Sequence, residues 1–247
     1  MHTIEVNFSH APTTAHQFAH DLPEAAEFFA KYAPHHVYRK VAARQLIWAE
    51  GDIHRDVFLV RSGAVCFSKM LLDGRRVVTG FAYAGDIFGL GSGPYIQNAE
   101  AVQSCALEGI TMPVFERACS ADPALASFVN KRISKELASA YQHMMVLTKL
   151  TASERLAHFL VGLSKRNRHV DSTHSVTIPM RRIDIADHLG LTIETISRTF
   201  TQFKNAGLIT MEDPCVVVLI NPDELATLAN GTNHEEGSVG LCRRAAA

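Results

Sequence analysis

Residues 180–205 constrain the fold more than any other part of this chain, because they predict two short helices joined by a tight turn. Apolar residues at helical spacing end at Leu189, and Gly190 follows, where the end of a helix favours a left-handed backbone. Thr192 offers a hydroxyl that can cap a second helix. The inward face of that second helix carries apolar residues at steps of four and three: Ile196, Phe200, Phe203. Two short helices around a glycine-containing turn are the pattern of a helix-turn-helix.

Three side chains near the start of the second predicted helix lie away from its apolar face: Glu194, Ser197 and Arg198. Arginine donates two hydrogen bonds to O6 and N7 of guanine, and glutamate accepts one from the amino group of cytosine. Ser197 is short enough to let the helix approach closely, so we expect all three to contact bases of double-stranded DNA. The alternative is a surface ion pair between Glu194 and Arg198, because residues four apart on a helix are neighbours.

Contacts to DNA phosphates are expected from residues beside these. Thr192 and Thr195 lie at the helix N-terminus, whose amides attract anions, and Arg182 supplies a cation one helix earlier. The chain has 24 Lys and Arg against 25 Asp and Glu, a formal net charge of -1. Any attraction to phosphate must therefore come from the local placement of these residues.

A hairpin after the second helix is predicted to form the wing of a winged helix. It begins near Ile209, turns at residues 211–214 and returns over residues 215–220. Cys215 in this hairpin would lie near the DNA backbone, where oxidation would add negative charge and weaken binding. The alternative is that Cys215 is a structural cysteine whose oxidation state does not affect DNA binding.

The first half of the chain predicts an antiparallel β-roll. Seven short runs read as strands, at residues 45–48, 57–61, 64–69, 76–81, 86–90, 99–104 and 107–112. Turn-forming residues separate them, and Asp73 with Gly74 is a strong hairpin signal because glycine accepts a positive φ. Many short strands at this spacing favour a closed or rolled sheet.

A long helix is predicted over Pro123–Lys149, which contains no internal glycine or proline. Asp122 and Pro123 are suited to its start. Apolar residues recur along one stripe at steps of four and three: Ile133, Leu137, Ala140, Met144, Leu147. Such a seam predicts pairing with the same helix of a second copy, although packing on the chain's own roll remains the alternative.

Three further segments complete the predicted α+β fold: a helix at residues 153–164, a strand at 176–178 and a last short helix from Asn221 to near Asn230. We expect an N-terminal arm (1–24), a sensor-like β-roll (25–118), a dimerisation helix (119–149), a winged helix-turn-helix (150–230) and a flexible tail (231–247). No apolar run approaches the roughly 20 residues that span a bilayer, and no signal peptide is seen. Five dispersed cysteines without a CxxC pair suit a reducing cytoplasm.

The order of roll, long helix and winged helix-turn-helix resembles the Crp/Fnr superfamily from about residue 25 to residue 230. Glu194, Ser197 and Arg198 are similar to the E-x-x-S-R motif of its Fnr and FixK branch. The resemblance implies a homodimer bound to a palindrome such as TTGAT-N4-ATCAA, with Arg198 reading G, Glu194 its paired C and Ser197 near T. It also implies control linked to oxygen, redox state or nitrogen oxides, and an RNA polymerase partner, for which the hairpin of Asp73, Gly74, Arg75 and Arg76 is a candidate.

The resemblance also implies which residues each known ligand of the family would need in this roll. The family's cyclic-nucleotide pocket needs a Glu where Leu90 stands and an Arg-Ser pair where Ala99 and Glu100 stand. No cysteine precedes Cys66, so the iron–sulfur cluster of Fnr cannot be assembled in the usual way. We expect no cofactor and no metal, with a haem-based gas sensor as the alternative because histidines crowd the N-terminus: His2, His10, His16, His20, His35, His36.

Two rival functions belong to other classes. One is an effector-binding module that has lost DNA binding, which the intact Glu194, Ser197 and Arg198 set argues against. The other is an enzyme with a regulatory roll, but the sequence shows no Ser-His-Asp, metal or phosphate-loop constellation. We therefore expect a regulator and not an enzyme.

Overall fold

The computed structural model describes residues 29, 31, 36–167 and 175–231. Its strands are β1 (His36–Val41), β2 (Leu46–Trp48), β3 (Asp56–Ser62), β4 (Ala64–Met70), β5 (Arg76–Tyr83), β6 (Ile87–Phe88), β7 (Asn98–Ala101), β8 (Cys105–Thr111), β9 (Ser175–Thr177), β10 (Ile209–Asp213) and β11 (Val216–Leu219). Its helices are α1 (Met112–Ala121), α2 (Pro123–Lys149), α3 (Ala152–Asn167), α4 (Arg182–Leu189), α5 (Ile193–Asn205) and α6 (Pro222–Ala229). The expected α+β fold is confirmed.

The first eight strands form the two sheets of a roll. The orders are β1-β8-β3-β6 and β2-β7-β4-β5, and the paired strands are antiparallel. The predicted hairpin between β4 and β5 is confirmed, with Gly74 at φ 83° and the Leu71 N–H donating to the Arg75 carbonyl at 2.8 Å. The side chains between the sheets form one apolar core, in which Val65, Ala99 and Leu107 are almost fully buried.

The sequence prediction was wrong at both ends of the roll. It omitted strand β1, which pairs with β8 along its whole length. It also extended the last strand to Met112 and placed no helix before Pro123, whereas Met112 begins helix α1. The strand runs into α1 without a turn residue, and Pro113 lies in the first turn, where its missing N–H costs nothing.

Helix α2 has the predicted bounds. The Asp122 carboxylate accepts hydrogen bonds from the N–H groups of Ala124 and Leu125 at 3.0 and 3.3 Å, which caps the helix. A second apolar core holds this end of α2 and helix α1 against the roll through buried residues such as Ile110, Phe115 and Leu125.

The C-terminal part packs α3 to α6 around a third core, with a sheet of order β10-β11-β9. The predicted inward face of α3 is confirmed by burial of four residues: Leu156, Phe159, Leu160, Leu163. Three residues of the roll, Phe81, Tyr83 and Val102, pack against this core. The two halves of the chain therefore share an apolar contact as well as a covalent connection.

Within the described ranges, no helix combines the length and the apolarity that a bilayer-spanning segment requires.

Candidate nucleic-acid interface

Helices α4 and α5 form the expected helix-turn-helix. Gly190 follows α4 with φ 62° and ψ 39°, the left-handed conformation that the sequence predicted. The Leu191 N–H donates to the Ala186 carbonyl at 3.0 Å, which closes the turn. Ile185 and Leu189 are almost fully buried, so α4 is anchored to the C-terminal core.

Helix α5 begins and packs as predicted. The Thr195 N–H donates to the Thr192 hydroxyl at 3.2 Å and caps the helix. Ile196, Phe200 and Phe203 are buried, each contributing about 1.5–3 kcal/mol relative to an exposed side chain. This packing leaves the opposite face of α5 in solvent.

The structure brings Glu194, Ser197 and Arg198 together on that exposed face. The Ser197 hydroxyl donates to the Ile193 carbonyl at 2.8 Å and so lies flat against its own helix. The Arg198 guanidinium donates to the Thr195 hydroxyl at 3.5 Å. No ion pair joins Glu194 to Arg198 among the described residues, so in this structure both charged ends face solvent separately.

The carboxylate of Glu194 is held in its charged form. A hydrogen bond from its own backbone N–H, together with one involving Thr192, lowers the pKa of Glu194 below its usual value. A charged carboxylate at a helix N-terminus is also favoured by the helix dipole. Glu194 therefore presents only acceptor atoms at this surface.

The three residues expected at phosphates lie in different surroundings. Thr192 is exposed and Thr195 half-buried at the start of α5. The guanidinium of Arg182 instead lies over the Phe200 ring, 3.4 Å from its centroid, and donates to the Met211 sulfur at 3.5 Å. Burial lowers the pKa of Arg182, with Cys215 acting in the opposite direction. Arg182 thus joins α4 to α5 and the wing, and its role at phosphate stays a prediction.

The predicted wing is the hairpin of β10 and β11. Cys215 lies exposed in the turn as a free thiol, and its N–H donates to the Asp213 carboxylate at 2.6 Å. The Ile178 N–H donates to the Cys215 carbonyl at 2.7 Å, which ties the turn to the segment before α4. The thiol is therefore accessible on a backbone that is fixed at both sides.

An apolar stripe lies exposed along α2. Ile133, Leu137 and Met144 are 50, 53 and 55% exposed, and Ala140 is exposed between them. Leu147 is half-buried, 3.7 Å from the position of a Cβ at Gly190. Four of the five predicted seam residues thus share an uncovered surface, and the fifth lies beside the helix-turn-helix.

The interior of the roll is filled by stacked aromatic rings. Trp48 and Tyr95 stack with centroids 3.9 Å apart and planes at 6°. Three further rings lie within 6.2 Å of Trp48: Phe58, Phe67, Phe88. The side chains of this cluster occupy the space between the two sheets.

The residues expected at a cyclic-nucleotide site do not suit one. Leu90 packs on the core formed with α1, and Glu100 pairs with Arg44 at 3.2 Å instead of leaving a cation for a phosphate. A carboxylate here would repel a cyclic phosphate. The roll therefore does not fit this ligand.

The histidines considered for haem lie largely outside the described residues: His2, His10, His16, His20, His35. His36 is described only as the first residue of β1. Within the described ranges, no group of three or more His, Cys, Asp or Glu side chains is placed to hold a metal ion.

Sequence reasoning missed the residue that braces the helix-turn-helix against the end of α2. Arg155 Nε donates to the Leu150 carbonyl at 2.9 Å, and Arg155 Nη1 donates to the Leu189 carbonyl at 3.0 Å. The two acceptors are the residue that follows α2 and the last residue of α4. Arg155 and Leu189 are 34 positions apart, and no local sequence pattern predicts a contact over that separation.

Comparisons with known proteins agree with this geometry. The family model of the cyclic nucleotide-binding domain matches residues 38–122, and that of the Crp-like helix-turn-helix domain matches residues 154–228. The nitrogen fixation regulation protein FixK of Azorhizobium caulinodans is 34% identical over 235 residues, covering 88% of this chain and 95% of FixK. The transcriptional activator protein anr of Pseudomonas aeruginosa is 33% identical over 197 residues, covering 78% of this chain and 80% of anr.

A solved structure gives the same result. FixK2 from Bradyrhizobium japonicum matches this fold with a TM-score of 0.74 at 33% sequence identity. The match covers 78% of this chain and 96% of FixK2. The similarity therefore spans the roll, the long helix and the winged helix-turn-helix together.

Proposed function

This chain belongs to the Crp/Fnr family of DNA-binding transcription regulators and is FixK-like, and on that premise we propose that it binds, as a homodimer, a palindrome like TTGAT-N4-ATCAA. Arg198 reads G, Glu194 reads the paired C, and Ser197 lies near T. Thr192, Thr195 and Arg182 hold or support the phosphate contacts. A chromosomal site of this kind also implies a cytoplasmic location.

One observation carries the proposal: Glu194, Ser197 and Arg198 share the solvent face of a helix whose other face is buried. The two charged groups have opposite hydrogen-bonding character, which is what the two bases of a G·C pair require. The cap at Thr192 leaves the first turn of α5 rigid, so the side chains are presented without a large ordering cost.

A homodimer follows from the stripe on α2. Exposed Ile133, Leu137 and Met144 would leave a continuous apolar surface in water, and pairing with the same stripe of a second copy removes it. Two recognition helices related by a two-fold axis read half-sites about 34 Å apart, which is one turn of DNA.

Fluorescence anisotropy on labelled duplexes tests the proposal. Purified protein should bind TTGAT-N4-ATCAA at least about 10³-fold more tightly than a scrambled duplex of equal length, the lower end of specific over non-specific binding. Equal affinity for both duplexes would contradict it. The salt concentration is held fixed because phosphate contacts make affinity depend on it.

The dimer is tested by Leu137→Glu, with Lys131→Glu on another face of α2 as the control. A carboxylate in the seam opposes its own copy across the two-fold axis, so the variant should sediment as a monomer and lose binding to the full palindrome. The control should remain dimeric. A Leu137→Glu protein that stays dimeric would show that α2 does not form the interface.

Two finer roles complete the proposal. DNA-bound dimers recruit or block RNA polymerase, and the β4–β5 hairpin around Asp73, Gly74, Arg75 and Arg76, whose tip is exposed, is available for that contact. Oxidation of the exposed Cys215 adds negative charge at the wing and weakens binding. Peroxide should lower the affinity of the wild type and leave Cys215→Ser unaffected; equal loss in both would remove this role.

A further inference from the structure

We propose that Arg76, a residue of the β-roll, is a positioning residue that fixes the distance between the two recognition helices and so selects the spacer length of the palindrome. This inference rests on the proposed homodimer and adds to it a role for a residue far from DNA. It gives the roll a function that needs no bound ligand.

The proposed role of Arg76 concerns the orientation of the winged helix-turn-helix relative to α2. The winged helix-turn-helix is joined to α2 by a short link at Leu150 and Thr151. In a dimer formed along α2, rotation at this link would change the separation of the two α5 helices. Arg155 limits that rotation on one side by donating to the carbonyls of Leu150 and Leu189. Contacts between α4 and the roll limit it further.

Arg76 provides one of these contacts from the other side of α4. Its Nη1 lies 2.7 Å from Asp184 Oδ1 and 3.1 Å from Asp187 Oδ2, so one nitrogen holds two carboxylates of the helix. Asp184 is buried and Asp187 is half-buried. Such charge-assisted bonds are short and directional, which suits a contact that sets an orientation.

The electrostatics of Asp184 support a permanent contact. Burial alone would raise the pKa of Asp184, but hydrogen bonds from Arg181 and Arg76 outweigh it, and the pKa is lowered. The carboxylate is therefore charged at neutral pH. Its loss of a partner would leave a buried charge with only Arg181, which is costly in a low dielectric.

Neighbouring contacts align the same two surfaces. The ring of His188 in α4 contacts the Val78 carbonyl of β5 through Nδ1 at 3.1 Å, and Phe81 of β5 lies at the edge of that ring. Arg166 at the end of α3 donates to Asp86 of the roll at 2.6 Å. Arg76 is thus one of several contacts that hold the C-terminal part on the roll, and because it is not part of the apolar core its removal leaves that core filled.

The spacer gives a direct readout of this orientation. Each added base pair moves one half-site by about 3.4 Å and rotates it by roughly a tenth of a turn. A dimer whose helices are held by Arg76 should bind one spacer well and the neighbouring ones poorly. A dimer that turns freely at Leu150 and Thr151 should bind several spacers with similar affinity.

The test measures affinities of the full-length protein for TTGAT-Nx-ATCAA duplexes with x of four, five and six. Arg76→Ala should lower the ratio of affinities between the best spacer and the next by at least about tenfold, equivalent to about 1.4 kcal/mol. Asp187→Ala removes one of the two carboxylates that Arg76 contacts, and it should also lower this ratio of affinities. Arg76→Lys should keep most of it, because a single nitrogen contacts both carboxylates.

Arg75→Ala is the matched control, because Arg75 is the adjacent arginine and pairs with Asp73 inside its own hairpin. Circular dichroism and melting temperature establish that each variant is folded. Unchanged spacer ratios in folded Arg76→Ala and Asp187→Ala would overturn the inference, and so would tighter binding of the preferred site by these variants. A wild type that does not distinguish TTGAT from scrambled half-sites would instead overturn the proposed function.

Discussion

In the β-roll a cluster of aromatic side chains turns inward, whereas at the start of α5 the polar side chains face solvent. Trp48 and Tyr95 stack between the two sheets, and Glu100 is paired with Arg44. Glu194 and Arg198 form no ion pair within the described ranges, and both are exposed beside the threonines that they contact. Aromatic rings thus pack between the two sheets of the roll, while the polar face of α5 is open to solvent.

The two halves also contact each other directly. The roll still supplies β5, and through Arg76 and Val78 it supports helix α4. The roll therefore supports the helix-turn-helix domain, which is the part that binds DNA in this family.

The largest expected effect comes from opening the core behind the reading face. Phe203→Ala should lower the free energy of unfolding by about 3–5 kcal/mol, because it leaves a cavity under α5. Phe58→Ala, in the core of the roll, is expected to cost a similar amount. Urea unfolding gives the free energies, and anisotropy gives the DNA affinity.

The two variants should differ in how well they discriminate native from scrambled DNA. Phe203→Ala should reduce discrimination between native and scrambled duplexes, whereas folded Phe58→Ala should retain it. A loss of discrimination in Phe58→Ala equal to that in Phe203→Ala would show that the roll takes part in base reading.

A smaller effect is expected from the histidines between the two regions. Burial, reinforced by a second histidine, lowers the pKa of His188 to about 3 and that of His158 to about 4. His143 stacks on His188 at 4.2 Å, and burial lowers its pKa as well. Because the unfolded chain binds these protons near pH 6.5, stability is full above that pH and falls as the pH drops through the window below it.

The measurement is the melting temperature at about pH 7.5 and about pH 5. The wild type should melt at a lower temperature at the acidic pH, and His188→Phe should show a smaller difference. The lowered pKa of Asp184 acts in the same direction but only near its ordinary value of 3.8, outside this range. A pH response that is equal in both proteins would remove His188 from this explanation.

The smallest expected effect is that of cyclic AMP on the roll. Because Leu90, Ala99 and Glu100 do not suit a cyclic phosphate, millimolar cyclic AMP should leave the melting temperature unchanged. A ligand at 100 times its dissociation constant would stabilise the protein by about 2.7 kcal/mol. A melting temperature that rises with the concentration of cyclic AMP would show that the roll binds the nucleotide, and it would contradict this expectation.

The features that sequence predicted well are those set by neighbours in the chain. Gly190 and the face of Ile196, Phe200 and Phe203 follow from local spacing, and the fold places them as expected. Helix α1 was missed because β8 enters it directly, without a turn residue.

The contacts that position the candidate site could not be predicted in this way. Arg76 and Asp184 are 108 residues apart, so their meeting depends on how two cores pack together and not on any repeat in the sequence. The stacking of Arg182 on Phe200 is of the same kind: the sequence gives the cation but not the ring beneath it.

The most direct test of base reading is the discrimination of Arg198→Ala between TTGAT-N4-ATCAA and the same palindrome with both G·C pairs replaced by A·T. The wild type should favour the native duplex by about 1–3 kcal/mol for each half-site, and the variant should bind both duplexes with nearly equal affinity. A folded, dimeric Arg198→Ala that keeps the wild-type preference would show that the G is read elsewhere and would contradict the assignment of Arg198.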